Sequence, residues 1–188
     1  YPGHVISAKR TPHLVDPVKK VLEQRGDGGT GFSRAWKMSL WARLYDGNKA
    51  NSIFKGYIKE QCYPSLFAKC FTPLQVDGSF GVTAGISEML ILSHEESIEL
   101  LPALPDEWES GSFSGVCARG AFELKFSWKN KQITEVEVKS KAGQTCRIKA
   151  GVVNTVTNNG MKIKHINYPD GAIGFETKPG ASYTLSKI

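Results

Sequence analysis

Apolar residues follow one period in the first half of the chain and another in the second. Up to about His94 the spacing is helical. Leu14, Val18 and Leu22 recur every four residues after Thr11-Pro12, and Gly26 closes the stretch, which predicts a first helix. Ser33 is the expected N-cap of a second helix over 35–45, with Gly47 as its stop. That helix carries Trp36, Leu40 and Leu44 on one side and Met38, Trp41 and Ala42 on others. A helix apolar almost all round belongs inside a multi-helix assembly. A third helix is expected over 49–61 and a fourth over 83–93, where Ile86, Met89 and Leu90 adjoin.

From Ile98 the period becomes two. Phe122, Leu124 and Phe126 alternate with Glu123, Lys125 and Ser127, and Ile133, Val136 and Val138 follow a turn containing Asn130. Further strands are expected over 145–149, 152–157, 162–166, 172–176 and 182–186, separated by Gly, Asn or Pro-Asp. Short strands so punctuated predict an antiparallel β-sandwich. The join lies at 101–108, where Pro102 and Pro105 forbid a continuing helix. The expected fold class is therefore α+β and multidomain, with a helical part over 1–95 and a β-sandwich over 96–188. The all-round apolar helix calls for partners the chain does not contain, so the helical part reads as the end of a larger helical domain.

Composition changes this picture little. Hydrophobic residues make up 40% and charged residues 22% of the 188, an ordinary globular balance. The net charge of +6 is scattered. Its densest patches, Lys129–Lys131 and Lys162–Lys164, fall in strand-like sequence without the aromatic repeats of a single-strand binder, so no nucleic-acid partner is expected. The longest apolar run, near Met89–Leu92, is too short to span a bilayer. Cys62, Cys70, Cys117 and Cys146 form no C-x-x-C pair, and buried free thiols are favoured over a Cys62–Cys70 disulfide. His4, His13, His94 and His165 form no metal-ligand spacing, and neither Ser33 nor Ser79 lies in a nucleophile motif. No metal or cofactor is expected.

Two glycine-rich stretches hold carboxylates between helices. The first, Arg-Gly-Asp-Gly-Gly-Thr-Gly-Phe-Ser-Arg-Ala-Trp over 25–36, lacks the preceding strand and the Gly-Lys-Ser/Thr ending of a phosphate loop. On this motif alone, the favoured reading is a tight connection whose Asp27 bonds backbone N–H groups. The second, over 71–81, places Asp77 in a loop just before the fourth helix. A carboxylate at a helix N-terminus is favoured in its charged form, a useful state for a base that accepts a proton from water, although Asp-Gly is more often a plain turn.

These loops, in this order and together with three later segments, resemble the C-terminal region of the α-L-fucosidase family, glycoside hydrolase family 95. The matching stretches are Arg-Gly-Asp-Gly-Gly-Thr-Gly-Phe-Ser-Arg-Ala-Trp-Lys (25–37), Gln-Val-Asp-Gly-Ser-Phe-Gly (75–81) and Thr-Ala-Gly-Ile-Ser-Glu-Met-Leu (83–90). Leu-Leu-Pro-Ala-Leu-Pro-Asp-Glu-Trp (100–108) and Ala-Arg-Gly-Ala-Phe-Glu-Leu (118–124) come after them. Together they cover roughly residues 1 to 149. The resemblance implies the last helices of an (α/α)6 barrel, then the family's C-terminal β domain. It also implies an inverting exo-glycosidase in which a Glu is the acid and an Asp polarises Asn residues that hold the attacking water. Asp77 matches that Asp, while no segment here matches the Glu or the Asn positions. The implied partners are a fucosylated or related glycan and the remainder of the catalytic domain. The family's frequent His-Pro-Pro run is replaced by Phe71-Thr72-Pro73. A phenyl ring there makes Phe71 a candidate sugar contact and opens L-galactose beside L-fucose; Asp27 is a second candidate for the pocket wall. The contrasting expectation is a carbohydrate-associated or assembly module without turnover.

Overall fold

The computed structural model describes residues 1–151, 153 and 155–186, which fall into two compact units. One comprises Tyr1–Leu90 with Pro102–Pro105, the other Ile91–Leu101 with Asp106–Ile188.

In the helical unit a short 3-10 turn, Pro12–Leu14, leads into α1 (Val15–Arg25), which Gly26 ends with a left-handed φ of 64°. The second helix, α2 (Gly31–Arg43), starts four residues earlier than expected. Thr30 is its N-cap, with extended backbone, so Ser33 lies inside the helix. Its end is also displaced from the expected glycine. Tyr45 takes φ 62°, its N–H donates to the Ala42 carbonyl, and the Asp46 N–H donates to Trp41, the paired bonds of a Schellman stop. Gly47 instead opens α3 (Gly47–Glu60), where a Cβ would lie 2.2 Å from the Ala103 carbonyl oxygen. Asp46 caps that helix by accepting the Lys49 N–H at 2.9 Å.

The largest departure is α4, which spans Val76–Leu90 rather than 83–93. Asp77 therefore sits in the first helical turn and not in a preceding loop. Gly78, Gly81 and Gly85 turn one face of α4 toward α2: a Cβ on them would lie 2.9 Å from the Phe32 nitrogen, from the Ala35 Cβ and from the Met38 sulfur respectively. Gly78, which looks like a helix breaker in sequence, is thus the condition for close approach to the α2 backbone, while Gly81 and Gly85 make room for the Ala35 and Met38 side chains. Trp41, Met38, Ala35 and Ala42 are buried as expected for α2, whereas Trp36 and Leu40 are half-buried and Phe32 is exposed.

The sheet unit holds two sheets. The first runs β1 (Ile91–Leu92), β2 (Ile98–Leu100), β6 (Cys146–Lys149), β10 (Ile173–Phe175), β9 (Ile166–Asn167). The second runs β3 (Gly111–Ala118), β4 (Phe122–Lys129), β5 (Gln132–Ser140), β11 (Ser182–Ser186), β7 (Thr155–Asn158), β8 (Met161–Ile163). All named pairings are antiparallel except β2 with β6, a correction to the all-antiparallel expectation. The long crossover through β3–β5 makes that parallel pairing possible. Phe122, Leu124, Phe126 and Trp128 face inward from β4 in strict alternation. The Phe175 and Tyr183 rings, one from each sheet, meet at 5.3 Å, consistent with a β-sandwich.

Asn130 (φ 51°) and Lys131 (φ 60°) make the two-residue hairpin turn expected at Asn130. The sequence pattern missed β3, whose serines and bulge at Gly115 blur the alternation. Of the strand expected over 152–157, Val152 and Asn154 lie outside the described residues, and Thr155–Thr157 belong to β7. The cysteines are free thiols; Cys62 and Cys146 are buried, Cys70 is half-buried and Cys117 is exposed, against the expectation of burial.

Candidate functional site

The two glycine-rich stretches are brought together at the start of α2. The Gly31 N–H donates to the Lys69 carbonyl at 2.9 Å, and the Phe32 N–H donates to Gln75 Oε1 at 2.9 Å. Gly78 fits against both: a Cβ there would lie 2.7 Å from the Ala68 Cβ and 3.0 Å from the Gly31 carbonyl carbon. The Ala68 N–H donates to Ser79 Oγ at 2.9 Å. The turn around Asp77 is therefore docked onto two separate segments of the helical unit.

The first stretch is organised by cations rather than for anions. Lys37 Nζ donates to the Gly26 and Gly28 carbonyls, both at 2.7 Å, and Arg34 Nε donates to the Gly29 carbonyl at 3.2 Å. Arg34 also pairs with Glu60 from α3. A phosphate loop aims N–H groups at its ligand; here carbonyls turn inward to buried positive charge, which removes that reading physically. Burial, with Arg25 adding to it, lowers the Lys37 ammonium below the ordinary lysine range, while Asp27 opposes the shift. Neither Lys37 nor Arg34 stood out in sequence, because buried cations on a helix look like any solvated face.

Asp27 is half-buried, and its Oδ2 meets Lys49 Nζ at 2.8 Å. The backbone bonding expected of it is replaced by an ion pair to α3. Asp77 is exposed, and its Oδ1 accepts the N–H of the adjacent Gly78 at 3.1 Å. Phe71 is 82% exposed, at a left-handed φ of 56°. Its turn is held by the Cys70 N–H donating to the Pro73 carbonyl and by the Tyr63 hydroxyl donating to Thr72. Near α4, burial pushes the Tyr57 hydroxyl up to about 12, with Cys62 adding to the rise and Ser79 opposing it. Among the described residues no group of His, Cys, Asp or Glu side chains is placed to hold a metal ion.

Asp77 thus stands exposed in the first turn of α4, with the Phe71 and Phe80 rings also exposed near it in sequence. Residues 1–90 match the glycosyl hydrolase family 95 catalytic domain, and residues 92–185 match the glycoside hydrolase family 95 C-terminal domain. These are domains of glycoside hydrolases. The chain belongs to glycoside hydrolase family 95. It is 35% identical over 146 residues to alpha-L-fucosidase 2 of Arabidopsis thaliana, covering 72% of this chain and 17% of that protein. To the probable alpha-fucosidase A of Aspergillus niger it is 28% identical over 154 residues, covering 72% of this chain and 19% of the relative. The probable alpha-fucosidase A of Aspergillus oryzae matches at 28% over 158 residues, covering 72% of this chain and 22% of the relative. The chain thus spans about a fifth of the length of the relatives it matches.

Proposed function

We propose that this chain supplies the water-activating side of an exo-glycosidase that inverts at terminal α-L-fucosides or related L-sugars. The observation that carries the reading is the exposed Asp77 carboxylate in the first turn of α4, within the Gln-Val-Asp-Gly-Ser-Phe-Gly stretch of a family 95 chain. In this reading the helical unit is the end of an (α/α)6 barrel, and the remainder of that catalytic domain is its partner. Asp77 polarises amide side chains that hold water on the face of the sugar opposite the leaving group. The general acid, whose family Glu motif no stretch here matches, comes from outside these residues and stands apart from the Asp77 side to leave room for the water, as an inverting pair requires.

Phe71 presents an apolar ring where the family run has an imidazole, which removes a hydrogen bond to the sugar. It is the proposed chooser between L-fucose and L-galactose. Asp27, tied to Lys49, shapes the pocket wall by fixing the first glycine stretch against α3. The test is turnover of aryl α-L-fucosides and α-L-galactosides by the full-length protein. Asp77→Asn is expected to lower kcat at least ~100-fold, the low end for losing a base. Near-normal turnover removes Asp77 from the chemistry. The 188 residues alone are expected to turn over neither substrate, because no stretch in them matches the family's general-acid Glu; hydrolysis by them would defeat the division of roles proposed here.

A further inference from the structure

Two side chains flank Asp77 at equal distance in sequence, and each bonds to the backbone of a distant segment. Gln75, two residues before it, accepts the Phe32 N–H at 2.9 Å. Ser79, two residues after it, accepts the Ala68 N–H at 2.9 Å. These bonds join the Asp77 turn to two pieces of chain: the start of α2 in one case, the segment after Cys62 in the other. Gln75 is locked at its own backbone as well, its N–H donating to the Ala68 carbonyl at 2.8 Å and its carbonyl accepting the Gly78 N–H at 3.1 Å. Gly78 leaves no slack between the pieces, since a Cβ would lie 2.7 Å from the Ala68 Cβ.

We infer that Gln75 and Ser79 are positioning residues that set where the Asp77 carboxylate stands; the inference rests on the reading of Asp77 given above. The carboxylate itself is exposed and bonds its own neighbour Gly78, a contact that moves with the turn, so its location follows the turn that bears it. A displacement on the order of 1 Å at a reacting group can cost ~100-fold in rate, and loss of one of two anchors should cost less than that.

The experiment uses the full-length enzyme and an aryl α-L-fucoside. Gln75→Met keeps the volume and removes the acceptor, whereas Gln75→Glu keeps an oxygen facing the Phe32 N–H. Gln75→Met is expected to lower kcat about tenfold with KM within threefold, and Gln75→Glu to restore most of it. Ser79→Ala, a smaller change that decides the matter if Gln75→Met does not fold, is expected to lose about threefold to tenfold in kcat.

The distinguishing readout is the double variant. In an Asp77→Asn background, which should retain about 1% of turnover, Gln75→Met should cost almost nothing further, because it acts through the removed carboxylate. A full additional tenfold loss there, equal losses in the Met and Glu variants, or an effect confined to KM would each overturn the inference. Should Asp77→Asn fall ~100-fold while Gln75→Met and Ser79→Ala stay at parental kcat, the anchoring idea alone fails. Should Asp77→Asn itself stay near parental, the reading of Asp77 fails first.

Discussion

The two units differ in the charge they bury and in the apolar surface they leave exposed. The sheet unit buries nearly everything apolar: Leu124, Phe126, Val138, Ile148 and Val156 have no exposed surface, and its exposed large apolar residues among those described are Met161 and Ile166. The helical unit buries Arg34, Lys37, Ser39 and Asn51 while leaving Leu66, Phe67, Phe71, Leu74, Val76 and Phe80 exposed. The sheet unit is thus held mainly by apolar packing. The helical unit has an apolar core too, with Met38, Trp41, Ile53, Tyr57 and Met89 buried. It adds close backbone approach and bonds from buried cations to carbonyls, and much of its exposed apolar surface lies in the segment around Asp77. The proposed function and the incomplete burial fall in the same place.

Breaking the apolar side of this contrast should have the largest effect. Phe126 is wholly buried and packs edge-on against Phe113 with ring centroids 5.9 Å apart. Phe126→Ala should destabilise the sheet unit by about 3–5 kcal/mol in urea unfolding, through lost transfer energy and the cavity left behind. A loss below about 1 kcal/mol would mean that the inward alternation of β4 is not what holds the unit.

Gly78→Ala tests the helical side and should cost less, about 1–3 kcal/mol, the range for overpacking a tight contact. The added methyl meets the Ala68 Cβ and the Phe32 nitrogen, so it must push α4 from α2. Hydrogen exchange of the Phe32 and Ala68 amides should speed up with it. Unchanged stability and exchange would show that the small residues are incidental and that the two units are built alike.

The same contrast explains what could be read from sequence. The sheet was legible wherever one face is buried, because alternation at Phe122, Leu124 and Phe126 is a direct record of the core. It failed at β3, an edge strand whose Ser112 and Ser114 are exposed beside a bulge. In the helical unit the existence of each helix was legible but not its ends. The Asp-Gly-Ser-Phe-Gly run reads as a turn because local preference is all that sequence offers; the α2 residues against which Gly78 and Gly81 pack are remote in the chain. The candidate site divides in the same way. Asp77 and the two loops could be picked out by motif, whereas Gln75 and Ser79 acquire meaning only from bonds to residues 43 and 11 positions away.

Alkaline pH offers a finer separation. Burial pushes the Cys146 thiol in the sheet unit up to about 12 from 9.0, and the Tyr57 hydroxyl in the helical unit up to about 12 from 10.0. In both cases the unfolded chain loses its proton first. Stability is therefore full below the unfolded value and falls as pH rises toward the folded one. The Cys146 contribution begins to fall near pH 9 and the loss should reach about 1.4 kcal/mol at pH 10, one unit above the unfolded value. Cys146→Ala should remove that part of the alkaline slope, measured as the difference in unfolding free energy between pH 8 and pH 10 against the parent. An identical slope in the variant would show that the thiol ionises without opposing folding.

The smallest effect belongs to the outer surface of the sheet unit, where Glu123 and Lys141 pair at 2.9 Å. The bond to Lys141 holds the Glu123 carboxyl below its usual range, so any contribution is present at neutral pH and lost as pH falls through that lowered value. Both groups face water, however, and water and salt screen such pairs until little remains. Glu123→Gln should therefore leave the unfolding temperature at pH 7 within the scatter of replicates, in low salt and in high salt alike. Arg43 and Glu88 form the contrasting pair in the helical unit, two-pronged at 2.8 and 3.0 Å, with side chains only 12% and 17% exposed. Glu88→Gln should lower the unfolding temperature measurably, because it leaves a mostly buried guanidinium facing a neutral amide. Equal responses from the two glutamates would dissolve the distinction between a surface ion pair of the sheet unit and the internal polar bonds that the helical unit adds to its apolar core.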